Sequence, residues 1–240
     1  MNKVLKNSFR IILLSLVLFL IAGCNGKQAN VKAAGQTKNQ LSAWTVYWDA
    51  EEGSKEFRRL EKRLDEVCLF GAYFEEDGKL LLPEELTFDK RVAKKKKQLA
   101  EYLTIVNDRV LSDGGKEYKK TEFLQELLND QERRKEHIDE IIALAKAERF
   151  DGVEIDYERI WKDCETKDTF LPFIKELYAA TTANNLKLRV VLEPGTPFKD
   201  IELPPGPKYV VMLYNLYGMH SGPGPKADSA FIQKVLGKMA

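Results

Sequence analysis

The sequence predicts an α/β fold built on a mostly parallel sheet, and three observations predict it. Short apolar segments rich in β-branched and aromatic residues recur between residues 44 and 214. Amphipathic segments with helical spacing separate most of them. Residues 41–240, about 200 in all, suffice to bury one sizeable core.

The strands are expected in this order. Residues 44–48 (WTVYW) open the series, followed by 66–74 (EVCLFGAYF), 103–110 (LTIVNDRV), 152–157 (GVEIDY), 186–192 (LKLRVVL) and 209–214 (YVVMLY). A short amphipathic helix is expected at 55–64. A long one spans 121–149, with Phe123, Leu124, Leu127 and Leu128 and then Ile138, Ile141, Ile142 and Ala145 on its apolar face. Asp168 is a candidate cap for a helix carrying Phe170, Phe173, Ile174, Leu177 and Tyr178, and Asn184 and Asn185 mark its end. A last helix begins at Asp228.

Strands alternating with helices argue for parallel pairing with helical crossovers. Six such units suit a TIM (β/α)8-type barrel. The rival, a doubly wound sheet, would offer a glycine-rich phosphate turn after its first strand. Here that strand runs into Asp49, Ala50, Glu51 and Glu52, which repel phosphate. A barrel needs eight strands in ~250 residues. The expectation is therefore a barrel incomplete at its C-terminus, or completed by another segment.

Ahead of residue 41 the chain changes character. Lys3, Lys6 and Arg10 precede an uninterrupted apolar run over 11–22, too short for a comfortable span of ~20 residues. The run ends Leu20-Ile21-Ala22-Gly23-Cys24. This resembles a bacterial lipobox, which implies a signal peptide over 1–24, lipidation (palmitate) at Cys24 and a cell-membrane location facing the extracytoplasmic side. Residues 25–40 are polar and small, as expected of a flexible tether. Net charge is +1 with 31% charged residues, so nothing implies a nucleic-acid partner. The lysines at 94–97 fit a solvated helix face. Cys68 and Cys164 compel no disulfide, and no spacing suggests a metal site or cofactor. His137 and His220 lack a serine or cysteine partner in any motif, so no triad is assigned. The chain is expected to be monomeric.

The chemistry concentrates in residues 150–160 (FDGVEIDYERI), where Asp151, Glu154, Asp156 and Glu158 interrupt a core strand. Alternation puts Glu154, Asp156 and Glu158 on one face and Val153, Ile155 and Tyr157 on the other. In a barrel the apolar set packs on the helices while the acids line the interior and climb toward the C-terminal mouth. Repulsion and partial burial raise the pKa of at least one. A carboxylic acid that keeps its proton can protonate a leaving oxygen, as glycosidic cleavage requires. A divalent-metal site, or a structural ion-pair array with Arg109, Arg149, Arg159 or Arg189, are the alternatives.

Residues 151–158 (DGVEIDYE) resemble the DxxDxDxE signature of family 18 glycoside hydrolases, and Met212-Leu213-Tyr214-Asn215 resembles the family's MxYD. The order of elements fits from about Trp44 onward. The resemblance implies a TIM barrel that hydrolyses N-acetylglucosamine-containing polysaccharide by a substrate-assisted, retaining route. It implies Glu158 as general acid and later base, retaining the proton, with Asp156 orienting the acetamido group. It implies Tyr214 bonding to that group's oxygen and Asp151 supporting the array from the strand base. Two positions depart from the signature: Glu154 stands for an aspartate, changing proton sharing with Asp156, and Asn215 stands for an aspartate and loses a charge. Trp48, Trp161, Asn107 and Glu193 are candidate sugar contacts at strand ends, with core packing or helix capping as their alternative. Tyr47, Tyr73 and Phe74 fit core packing better. The alternative to an enzyme is a non-catalytic glycan-binding lipoprotein on the same barrel.

Overall fold

The computed structural model describes residues 39–60, 62–84, 86, 99–162, 164–218 and 221–239. The signal segment with Cys24, most of the tether, the lysine run at 94–97 and His220 lie outside them.

The described elements run β1 (Ser42–Val46), a 3-10 turn (Tyr47–Asp49), α1 (Ala50–Leu60), β2 (Glu66–Glu75), β3 (Leu80–Leu81), β4 (Ala100–Val110), β5 (Lys116–Glu117), α2 (Glu122–Asn129), α3 (Gln131–Ala147), β6 (Gly152–Asp156), a 3-10 turn (Ile160–Lys162), α4 (Cys164–Ala183), β7 (Lys187–Leu192), β8 (Lys208–Val211) and α5 (Ser229–Met239). Strands pair in parallel in the order β1-β2-β4-β6-β7-β8. The sheet curls into a half-barrel. Side chains of β7 and β8 reach back to β1 and β2 across its hollow: Arg189 Nη1 donates to Ser42 Oγ at 3.0 Å and Lys208 Nζ to Glu66 Oε1 at 2.5 Å.

Differences from expectation have local causes. β1 stops at Val46, where Tyr47–Asp49 form a 3-10 turn, and β8 stops at Val211. The long helix is two. Asp130 is extended (φ −75°, ψ 121°), and its side chain accepts from Glu132 N and Arg133 N, both at 2.9 Å, starting α3 afresh. α4 begins at Cys164, so Asp168 lies within it rather than capping it. Its end is as expected, with Asn185 left-handed at φ 57°. The two-residue strands β3 and β5 fold back antiparallel on β2 and β4 through turns at Gly78 and Gly114. They are too short for any periodicity to announce them.

Parallel register stacks inward-facing side chains into rows. Trp44, Cys68, Tyr102 and Gly152 share one row, and Phe70, Thr104, Glu154, Arg189 and Lys208 the next. Gly152 has no alternative here: a Cβ would lie 2.7 Å from Tyr102 Cε1 and 2.6 Å from Lys187 O. On the outer face Val153, Ile155 and Tyr157 join the core contributed by α2, α3 and α4. Tyr157 Oη is 2.8 Å from His137 Nε2, so the buried histidine anchors the residue between the two mouth acids. Phe74 is fully buried, and Tyr47 packs against the same core.

Candidate active site

The interior row at the base is saturated with partners. Glu154, wholly buried, accepts from Trp44 Nε1 at 2.7 Å, Thr104 Oγ1 at 2.8 Å and Arg189 Nε at 2.8 Å. Cys68 Sγ lies 3.6 Å from Oε2, the oxygen that Arg189 holds, and the thiol is free. Arg189, 1% exposed, also pairs with Glu66, and its guanidinium lies 5.5 Å from the Trp44 ring and 5.3 Å from the Tyr102 ring. Burial resists ionisation of Glu66, but bonds from Lys208 and Ser42 and the charge of Arg189 outweigh it and hold the carboxyl below its usual range. Glu154 is thus committed to Arg189. The longer side chain at this signature position reaches across to β7 and pairs with Arg189. Arg189 is the one arginine of the anticipated array that takes this role.

One turn higher the balance reverses. Asp156 ends β6 and is 7% exposed, and among the described residues its Oδ1 has no hydrogen-bond partner. Burial pushes its carboxyl well above the usual range, and the charges of Glu158 and Glu154 add to this. Glu158 stands two residues beyond, its side chain 19% exposed and in contact with Lys119 Nζ. Asp156 is therefore an acid whose enclosure favours its protonated form, and a cation faces Glu158.

Tyr214 is 55% exposed overall, but its hydroxyl turns inward onto Met212 Sδ at 3.1 Å. Desolvation, then the charges of Asp156 and Glu158, push the phenol up to about 12. It therefore stands beside the acids as a hydrogen-bond donor at neutral pH. Asn215 is exposed. Asp151 stands at the foot of β6, where Oδ2 accepts from Glu101 N at 2.8 Å; it ties β6 to β4, away from the acids above.

The four candidate sugar contacts divide. Trp48 is 63% exposed at the mouth, edge-on to Phe70. Trp161 is half-buried against the core, edge-on to Phe170. Asn107, 1% exposed, spends its amide on backbone: Oδ1 accepts from Glu158 N at 2.9 Å, and Nδ2 donates to Glu158 O at 3.1 Å and Lys120 O at 3.2 Å. It holds the acid's backbone and does not face the cleft. Glu193 accepts from Arg159 N at 2.7 Å, where the chain is left-handed at φ 66°, fixing the turn that follows Glu158. Burial and the Glu158 charge raise its carboxyl, against the Arg159 bond.

Sequence reasoning missed Lys119, which sits just past the two-residue β5 in a loop without periodicity. It also missed Trp44 and Thr104 as partners of Glu154. A signal was present for Thr104: it lies in register with Glu154 if the third and fourth strands pair in parallel.

Buried and half-buried acids at the C-terminal end of a parallel strand, with a tyrosine that follows a later strand, form the kind of arrangement that acid-assisted bond cleavage requires. The chain matches the glycosyl hydrolases family 18 over residues 43–233, and it belongs to that family. Among solved structures it is similar to the chitinase from Chromobacterium violaceum ATCC 12472 (18% identity, TM-score 0.64, 82% of this chain and 63% of that one). It is similar to the Bacillus cereus spore cortex-lytic enzyme SleL (17%, 0.65, 85% and 48%). It is also similar to a class V chitinase variant from Nicotiana tobaccum in complex with NAG4 (16%, 0.63, 83% and 63%). No curated protein matches the sequence. The chain spans less than two thirds of the length of each of these three solved chains.

Proposed function

We propose that this protein is a glycoside hydrolase that cleaves β-1,4 bonds beside N-acetylglucosamine in chitin, chitooligosaccharides or peptidoglycan, by a retaining route in which the substrate supplies the nucleophile. The observation that carries this reading is Asp156: a buried carboxyl with an unpartnered oxygen at the C-terminal end of β6, two residues before Glu158. Such an acid suits the N–H of a sugar acetamido group. As that group's carbonyl oxygen bonds to the anomeric carbon, the glycosidic C–O bond breaks and the Glu158 carboxyl gives its proton to the leaving oxygen. Water then attacks the anomeric carbon and returns a proton to Glu158, and the acetamido group is regenerated. The Tyr214 hydroxyl exchanges its contact with Met212 Sδ for the acetamido oxygen and donates to it as charge develops. Trp48 offers an open aromatic face for a pyranose ring.

A fluorogenic N-acetylchitooligosaccharide tests this. Wild type is expected to release the dye, and Glu158→Gln to lose ~10²–10⁴-fold in kcat/KM, the usual worth of a general acid. A second reading, glycan binding without cleavage, draws on the Lys119–Glu158 ion pair, which occupies the acid. Retention of both proteins on chitin or sacculi with release by neither would favour it.

We also propose that the protein is anchored in the cell membrane through lipid on Cys24 and faces outward. The basic start, the apolar run over 11–22 and the small residues before Cys24 support this. Labelled palmitate should be incorporated by wild type and not by Cys24→Ala; equal labelling would refute it.

A further inference from the structure

Lys119 reaches the site through a local scaffold with no other evident purpose. β4 and β5 form a hairpin closed by Arg109, whose Nε and Nη2 donate to Glu117 Oε2 at 2.9 and 2.6 Å. The chain then enters a left-handed conformation at Lys119 (φ 55°), unfavourable for a side chain of this size. Two bonds hold it there: Lys119 N donates to Asp108 Oδ1 at 3.0 Å, and Lys120 O accepts from Asn107 Nδ2 at 3.2 Å. Asn107 also grips both backbone groups of Glu158. One buried amide therefore fixes the lysine loop and the acid's loop against each other, and the ammonium lands on the Glu158 carboxylate.

We infer that Lys119 is a positioning residue of this site: its ammonium fixes the Glu158 carboxylate and supplies the positive charge that faces the two mouth acids. The inference rests on the hydrolase reading for its catalytic meaning and on geometry alone for its electrostatic one.

Around Glu158 the groups are acidic but for a few cations. Asp156 on β6, Asp108 at the end of β4, Glu193 after β7 and the Tyr214 phenol after β8 surround it, with Arg159 and Lys162 in the following turn. Lys119 is the cation in direct contact with the Glu158 side chain. It opposes the burial and repulsion that drive the Asp156 carboxyl upward. Without it, Asp156 should hold its proton to higher pH.

The test uses the full chain with Lys119→Met, Lys119→Gln and Lys119→Arg. The Asp156 carboxyl carbon is followed by ¹³C NMR against pH, and kcat/KM on the fluorogenic N-acetylchitooligosaccharide is measured over the same range. Lys119→Met and Lys119→Gln should move both the Asp156 titration and the alkaline limb of kcat/KM upward by about one pH unit, the low end for a lost opposite charge because Lys119 is 39% exposed. Lys119→Arg should restore both. Folded Met and Gln variants with an unmoved Asp156 titration would overturn the inference even if every protein turns over. A shifted titration with no turnover by any protein, wild type included, would instead sustain the electrostatic role of Lys119 and defeat the hydrolase reading.

Discussion

The base of the half-barrel and its mouth are built from the same kinds of side chain, partnered in opposite ways. At the base, Glu66 and Glu154 are matched by Arg189 and Lys208, and Trp44, Thr104 and Ser42 fill further acceptor positions. At the mouth, Asp156 is buried like these but keeps a bare oxygen, and Glu158 and Glu193 crowd it with like charge. A carboxylate with every lone pair occupied is a strut. One short of partners retains a proton and accepts a substrate. The distance between the two states is a single step of the strand, from position 154 to position 156.

Breaking the base should have the largest effect. Arg189→Met leaves Glu154 buried without its cation and Glu66 with Lys208 alone, and a loss of about 3–5 kcal/mol is expected in urea unfolding. Adding Glu154→Gln should return part of it, because the uncompensated charge goes with it. A cost under ~1 kcal/mol for Arg189→Met would mean that water already solvates this row.

Removing the misfit at the mouth should act the other way. Asp156 holds its proton more tightly folded than unfolded. Above the unfolded value, near pH 4, the native state therefore binds more protons than the unfolded one, and stability falls as pH rises toward the native pKa. Asp156→Asn lacks this slope. Its melting temperature should exceed that of wild type more at pH 8 than at pH 5, by ~2–4 °C for each kcal/mol relieved, while turnover drops. A lower melting temperature at pH 8 would show that Asp156 is stabilising.

Glu154→Asp restores the family residue and sharpens the contrast. The shorter side chain cannot span Trp44, Thr104 and Arg189 together, so about 1–3 kcal/mol of stability should be lost for one or two buried bonds. Asn215→Asp is expected to change least. The residue is exposed, so stability should hold within ~0.5 kcal/mol, and any effect should show in the pH profile of kcat/KM.

The strands were legible from their apolar, β-branched and aromatic content, and the inward set of Glu154 and Asp156 from the period of two on β6. Which of four candidate arginines the acids meet was not legible. Arg189 lies thirty-five residues from Glu154, and their meeting depends on the parallel register of β6 with β7. Lys119 was hidden for a different reason: a two-residue strand and a left-handed turn leave no pattern. Asn107 had the right residue type for a sugar contact, and only the path of the backbone beside it shows why it is otherwise engaged.

The contrast between base and mouth is tested most directly by titrating Asp156 and Glu66 in the same protein, their side-chain carboxyl carbons assigned through Asp156→Asn and Glu66→Gln. Asp156 should take up its proton well above the ordinary carboxylate range, and Glu66 below it. Asp156 titrating at or below Glu66 would contradict the division of labour described here, and with it the role assigned to the acid beneath Glu158.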